Sequence, residues 1–189
     1  MQFFSLLLVV FLTISTHLKA AVMAYVTNGD DYTVSVIDTS TNTVVDAVNV
    51  GNYPVRIAGS TDGTRVYVPA FVDNKLYAID TSNNTVAYTV SLPPGSHPFS
   101  VGCTAAGKIY VVNFSTGSFS ILEQNLGIYE SNFPAGGVFP FHVVVSPDDT
   151  RAYIACGLGP KNIKVIDTST GFIVGTANAG QQSYSVAIN

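Results

Sequence analysis

Tyr25-Val26-Thr27-Asn28, Tyr67-Val68-Pro69-Ala70, Tyr110-Val111-Val112-Asn113 and Tyr153-Ile154-Ala155-Cys156 are four versions of one phrase, their tyrosines 42, 43 and 43 residues apart. A fixed period of this size marks a repeat architecture, in which each unit stacks on its neighbours because none can bury its own faces. Each period holds four strand candidates. Around the second repeat these are the Tyr strand (Ile109 to Asn113 and its counterparts), Lys75 to Asp80, Thr85 to Leu92, and Pro98 to Cys103. β-Branched and aromatic residues alternate with small polar ones, and no segment keeps a helical period.

The turns repeat as well. Ser60-Thr61-Asp62-Gly63-Thr64-Arg65 and Ser146-Pro147-Asp148-Asp149-Thr150-Arg151 read as hairpin loops, Asp bonding nearby backbone and Gly taking positive φ; Thr104 to Lys108 is a worn copy. A second hairpin follows Ile37-Asp38-Thr39, Ile79-Asp80-Thr81 and Ile166-Asp167-Thr168, and the third repeat departs there with Ile121-Leu122-Glu123-Gln124-Asn125. A four-stranded antiparallel sheet at this period predicts an all-β fold, a β-propeller of four repeats of about 43 residues with one blade per repeat. The chain has no Trp, which disfavours the WD type.

Tyr25-Val26-Thr27-Asn28, followed by Ser35-Val36-Ile37-Asp38-Thr39, Thr43-Val44-Val45 and Gly51-Asn52-Tyr53-Pro54, resembles the YVTN family of β-propeller repeats, over residues 22 to 189. The resemblance implies an exported, periplasmic or cell-surface propeller, with related folds used for binding and occasionally as lactonases or streptogramin lyases. It also implies seven blades where this chain supplies four. Two arrangements follow. Ser183 to Asn189 matches the innermost strand Pro54 to Ser60, so it either pairs beside Tyr25 and closes a four-blade ring or belongs to part of a larger propeller. In an open monomer, bare apolar blade faces would drive self-association.

Residues 1 to 20 differ from the rest. An apolar run from Phe3 to Ile14, then Ser15, Thr16, His17, Leu18, Lys19 and Ala20, reads as a secretory signal peptide cut after Ala20, with an uncleaved anchor as the alternative. The run is shorter than the roughly 20 residues of a membrane span. Residues 21 to 189 then form one repeat domain, without a transmembrane helix. Net charge is -4, and 11% of residues are charged, so nothing calls for nucleic acid. Cys103 and Cys156 match no zinc or redox spacing and read as buried thiols, with a disulfide as the alternative.

Repeated residues explain the fold, so candidate function falls on positions that differ between repeats. The innermost strands align on Pro54, Pro98, Pro140 and Ser183. One step on stand Val55, Phe99, Phe141 and Tyr184, expected between blades; two steps on stand Arg56, Ser100, His142 and Ser185, expected at the channel mouth. Tyr53, His97, Phe139 and Gln182 would rim that mouth. The ligand candidates are therefore Arg56, His142, Ser100, Ser185, Tyr53 and His97, with Arg56 and His142 facing each other across the axis. The alternative is that Arg56 and His142 only satisfy backbone carbonyls. Arg65, Lys108 and Arg151 read as solvated residues near Asp62, Asp148 and Asp149. Asn83 and Asn113 head glycosylation acceptor patterns.

With two histidines outside residues 1 to 20 and no carboxylate beside them in the alignment, no metal or other cofactor is expected. No nucleophile motif, phosphate loop or acid pair is present, so no catalytic residue is named. These observations favour a non-enzymatic binding propeller for a protein or small ligand. A cell-surface structural or adhesion component and a lyase- or lactonase-like enzyme are the alternatives.

Overall fold

A computed structural model describes residues 22–124, 127–135, 138–158, 162–180 and 182–189; the expected signal segment lies outside the described residues, as does Asn125. Four antiparallel sheets follow one another along the chain. The first is β1 (Met23–Asn28), β2 (Thr33–Asp38) and β3 (Thr43–Asn49); the second is β4 (Ala58–Gly59), β5 (Arg65–Ala70), β6 (Lys75–Asp80) and β7 (Thr85–Ser91). The third is β8 (Pro98–Cys103), β9 (Lys108–Asn113), β10 (Ser118–Glu123) and β11 (Gly127–Pro134); the fourth is β12 (Val138–Val145), β13 (Arg151–Leu158), β14 (Ile163–Asp167) and β15 (Ile173–Ala177). Each sheet is a meander, one blade per sequence period. Among the described residues no helix is long and apolar enough to cross a membrane.

The period-two pattern works because each central strand is covered on both faces. In β5, Val66 and Val68 pack toward the first sheet while Tyr67 packs toward the third; in β9, Ile109 and Val111 face the second sheet while Tyr110 and Val112 face the fourth. The tyrosines of the first three repeats therefore point at the following blade. Two of the hydroxyls bond there: Tyr25 Oη donates to Asn84 Oδ1 at 3.0 Å, and Tyr110 Oη to the Thr168 carbonyl at 3.3 Å. Three apolar clusters result, joining sheets one and two, two and three, and three and four.

The innermost strand of the second blade is shorter than the expected Pro54 to Ser60. Only Ala58–Gly59 pairs as a strand, with an isolated bridge from Pro54 to Ala70. Pro69 stands on the facing strand where the third blade has Val112, and a proline cannot donate to the ladder.

The hairpin turns take the expected form, with different ion-pair partners. Asp62 accepts from Ser60 Oγ at 2.5 Å and from Thr64 N at 3.0 Å, which holds its carboxyl down at about 2. Asp148 is held the same way by Ser146 and Thr150. Arg65 pairs with Asp80 at 2.8 Å and Arg151 with Asp167 at 2.6 Å. These aspartates stand directly across the ladder from the arginines, whereas Asp62 and Asp148 are already engaged by their own turns. Lys108 faces Glu123 across its ladder but sends Nζ to the Thr168 carbonyl of the next blade, at 2.7 Å. Both cysteines are free: Cys156 is buried, and half-buried Cys103 donates to the Gly59 carbonyl at 3.0 Å, burial pushing its thiol up to about 11.

Ser183–Asn189 is not a strand and pairs with no strand among the described residues. It lies along the fourth blade instead. Val186 N donates to His142 Nδ1 at 3.2 Å, and the Tyr184 ring meets Phe141 at 4.8 Å. Buried Asn162 clamps the approach to it, donating from Nδ2 to the Gly180 carbonyl and to Ser183 Oγ, each at 2.6 Å. No apolar cluster among the described residues joins the fourth sheet to the first.

Candidate functional site

The residues that head the innermost segments share an unusual backbone. Tyr53, His97, Phe139 and Gln182 have φ of 58°, 48°, 58° and 59°. This left-handed region favours glycine and tolerates asparagine; elsewhere in the chain it is taken by residues such as Gly63, Gly95, Gly107, Asn42, Asn74 and Asn84, and also by Tyr32 and Asp149. Here it places large side chains on the end of the blades where the innermost segments begin. Tyr53 is 48% exposed. The left-handed turn is held by main-chain bonds that repeat between blades: Phe71 N to the Tyr53 carbonyl at 3.0 Å and Phe114 N to the His97 carbonyl at 3.1 Å.

Those bonds bring Phe71 and Phe114, the first residues after their Tyr strands, under the rim. His97 stacks on Phe71 with centroids 4.8 Å apart, and Phe139 stacks on Phe114 at the same separation. Phe99 and Phe141 meet edge to face at 5.5 Å and link the two stacks. Tyr53 joins at one end through Phe71, at 6.2 Å, and Tyr184 at the other through Phe141. The result is one continuous aromatic run from the second blade to Ser183–Asn189. The sequence reading missed Phe71 and Phe114, although the two occupy one repeat position, where the first and fourth repeats have Gly29 and Gly157. Gly157 is required: a Cβ there would lie 2.5 Å from Phe141 Cε2.

The positions two steps on reach around the axis from one repeat to the next. Arg56 sets its guanidinium 5.8 Å over the Phe99 ring of the following blade, within reach of a cation–π attraction. Ser100 is 1% exposed, its Oγ accepting from Val143 N of the following blade at 3.4 Å, so it does not open onto solvent. Bulges at Pro98/Ser100 and Pro140/His142 break the plain alternation in these strands. His142 accepts at Nδ1 from Val186 N, an N–H that can only donate, and Ser185 Oγ stands 3.0 Å from the same nitrogen. The neutral ring therefore carries its proton on Nε2. Burial and then the Arg56 charge hold the His142 pKa below its ordinary 6.5. Arg56 and His142 thus sense each other from the second and fourth blades. His97 is fixed through Nδ1 to Ser115 Oγ at 2.8 Å, and its backbone N donates to Asn74 Oδ1 at 2.9 Å.

Tyr53 and His97 join the aromatic run through Phe71, Arg56 joins it through Phe99, and His142 lies against Ser185. Among the described residues no three His, Cys, Asp or Glu converge on one point.

Neither a family model nor a curated protein matches the chain. Solved structures do. Hydrazine synthase from Kuenenia stuttgartiensis aligns with a TM-score of 0.72 at 18% identity, over 85% of this chain and 47% of that one. A protein of unknown function from Desulfotomaculum acetoxidans aligns at 0.73 and 15% identity, over 84% and 53%. Virginiamycin B lyase from Staphylococcus aureus aligns at 0.69 and 18% identity, over 80% and 50%. The fold is a run of β-propeller blades. The chain spans about half the length of the structures it matches.

Proposed function

We propose that this chain is a non-enzymatic binding propeller that takes a ligand on the aromatic rim bordered by Tyr53, Arg56, His97 and His142. The rim backbone carries the argument. A left-handed residue with a side chain costs about 1–2 kcal/mol over glycine, and this cost recurs in every repeat at one end of the blades. Glycine would serve the turn alone, so the side chains are what the position retains. Stacked rings with a neighbouring guanidinium suit a planar or apolar ligand bearing a negative group. The YVTN-like phrases and the apolar leader support an exported, YVTN-type protein acting at the periplasm or cell surface.

The test is a panel of small aromatic and sugar acids against the purified protein, read by calorimetry. Arg56→Ala and Tyr53→Gly are each expected to weaken binding at least tenfold while leaving the circular dichroism unchanged. Unchanged affinity in both variants would remove the rim from consideration.

A lyase-like reading has one observation in its favour, the neutral His142 beside Arg56 in a fold shared with virginiamycin B lyase. Turnover lost in His142→Ala, with ligand still bound, would establish it.

A further inference from the structure

An innermost strand bonds to its Tyr strand along one edge and turns its other edge away from it. In the third blade Thr104 N donates to the Lys108 carbonyl at 2.9 Å, and Val101 stands opposite Val111 in the same register. Antiparallel partners exchange bonds at every second pair, so Gly102 bonds to β9, whereas the N–H and carbonyl of Val101 and Cys103 point away from it. The fourth blade counts the same way: Ser146 N donates to the Arg151 carbonyl at 2.8 Å, and Val143, three residues earlier, turns its N–H outward. Gly59 holds the place of Cys103 in the second blade, and its outward carbonyl accepts from Cys103 Sγ.

An outward N–H needs an acceptor, and the preceding repeat supplies it from the position two steps into its own innermost segment. Val143 N donates to Ser100 Oγ at 3.4 Å, and Val186 N to His142 Nδ1 at 3.2 Å. Val101 N is the matching donor of the third blade, and Arg56 is the residue that should accept it. A guanidinium carries five N–H donors and no acceptor. Val101 is 4% exposed, yet among the described residues its N–H has no acceptor, which is rare for a buried main-chain donor. Arg56 has no hydrogen bond and no carboxylate partner among them either; it lies over the Phe99 ring. Two unmet donors, one of them charged, thus stand where the next two repeats set a donor against an acceptor.

We propose that a carboxylate of the ligand takes the place of the missing acceptor, held by the Val101 N–H and the Arg56 guanidinium together. The inference rests on the binding reading above and adds the seat of the negative group. A carboxylate only accepts, so one oxygen meets the main-chain N–H while the planar fork of the guanidinium takes both. The seat belongs to the junction of the second and third blades, because at the next two positions Ser100 and His142 already accept the main-chain N–H. One residue difference between repeats, an arginine in the place of a serine or a histidine, creates it. The Phe99 ring under the guanidinium connects the seat to the aromatic run, so the rest of the ligand leaves the carboxylate toward stacked rings.

The experiment titrates acetate, benzoate and inorganic phosphate into isotope-labelled protein and follows main-chain amides by NMR. In the free protein the Val101 amide is expected to exchange faster than that of Val143. Acetate should move the Val101 resonance downfield and slow its exchange, with Val143 unmoved. Arg56→Ser installs the acceptor that Ser100 provides one blade on; it should slow Val101 exchange without any ligand and abolish the acetate shift, at an unchanged circular dichroism spectrum. Arg56→Lys, which keeps the charge and loses the fork, should retain the shift with affinity about tenfold weaker. A Val101 amide that ignores acetate overturns the proposal, as does phosphate binding at Val101 tighter than either carboxylate. The rim reading is separated by the ring: benzoate should bind about tenfold tighter than acetate. Equal affinities with Val101 shifted in both leave the seat standing and remove the rim, whereas tight benzoate with Val101 unmoved removes the seat and leaves the rim.

Discussion

Tyr53 holds φ at 58° and touches Phe71 edge to face, so its backbone and its ring pull in opposite directions. Tyr53→Ala loses the ring and keeps the strain. Tyr53→Gly loses the ring and relieves the strain, less the freedom glycine gives the unfolded chain. The glycine variant is therefore expected to be the more stable of the two by about 0.5–1 kcal/mol in urea titrations. Gly157→Ala should cost about 1–3 kcal/mol, because the new methyl meets the Phe141 ring and must push it into the aromatic run. His142 adds a pH term. Its pKa is depressed in the fold, so the unfolded chain takes up the proton first. That contribution is complete above about 6.5 and is lost as pH falls from there through the lower folded value. A melting-temperature profile from pH 7.5 to 5 should fall for the native protein and flatten for His142→Gln, whose amide oxygen can still accept from Val186.

Within one blade, the hairpin after the Tyr strand is tied in two repeats by the same residue. Asn113 Nδ2 donates to Ser118 Oγ at 3.2 Å and Ser120 Oγ at 2.9 Å in a fully buried setting; Asn28 Nδ2 does the same for Thr33 and Ser35 where the strands are only half-buried. Asn113→Ala should cost about 1–3 kcal/mol, and Asn28→Ala clearly less, since water can replace the lost donor only in the first blade. Much of this scale was legible in the sequence. Lys75–Asp80 and Pro98–Cys103 fall where the alternation put them, because each strand has two covered faces and a turn with its own bonding at either end. The ion pairs were not legible: Asp62 is nearer in sequence to Arg65 than Asp80 is, and only the ladder register shows which aspartate is free to pair. The rim conformation was hidden for a related reason. Left-handed backbone under Tyr, His, Phe and Gln leaves no residue signature, whereas under Gly or Asn it does. Phe71 and Phe114 were visible as a repeat position, but their link to the mouth depends on the bonds to the Tyr53 and His97 carbonyls.

Across the whole molecule, stability runs along the array from junction to junction. Among the described residues β5 and β9 are covered on both faces and β1 on one, so amide exchange should be slowest in β5 and β9 and clearly faster in β1. The pairing of the outermost strands of the array was not legible in the sequence, because one strand pattern serves equally for pairing within a chain or between chains. The shared junction has a last consequence, for gene duplication. The three junctions among the described residues use the same positions: a tyrosine pointing forward, and valines and isoleucines pointing back. Copying or deleting a single period of about 43 residues would therefore create no mismatched surface. Blade number in such a chain can drift by recombination while every interface keeps its fit, and selection acts only on whether the circle still closes.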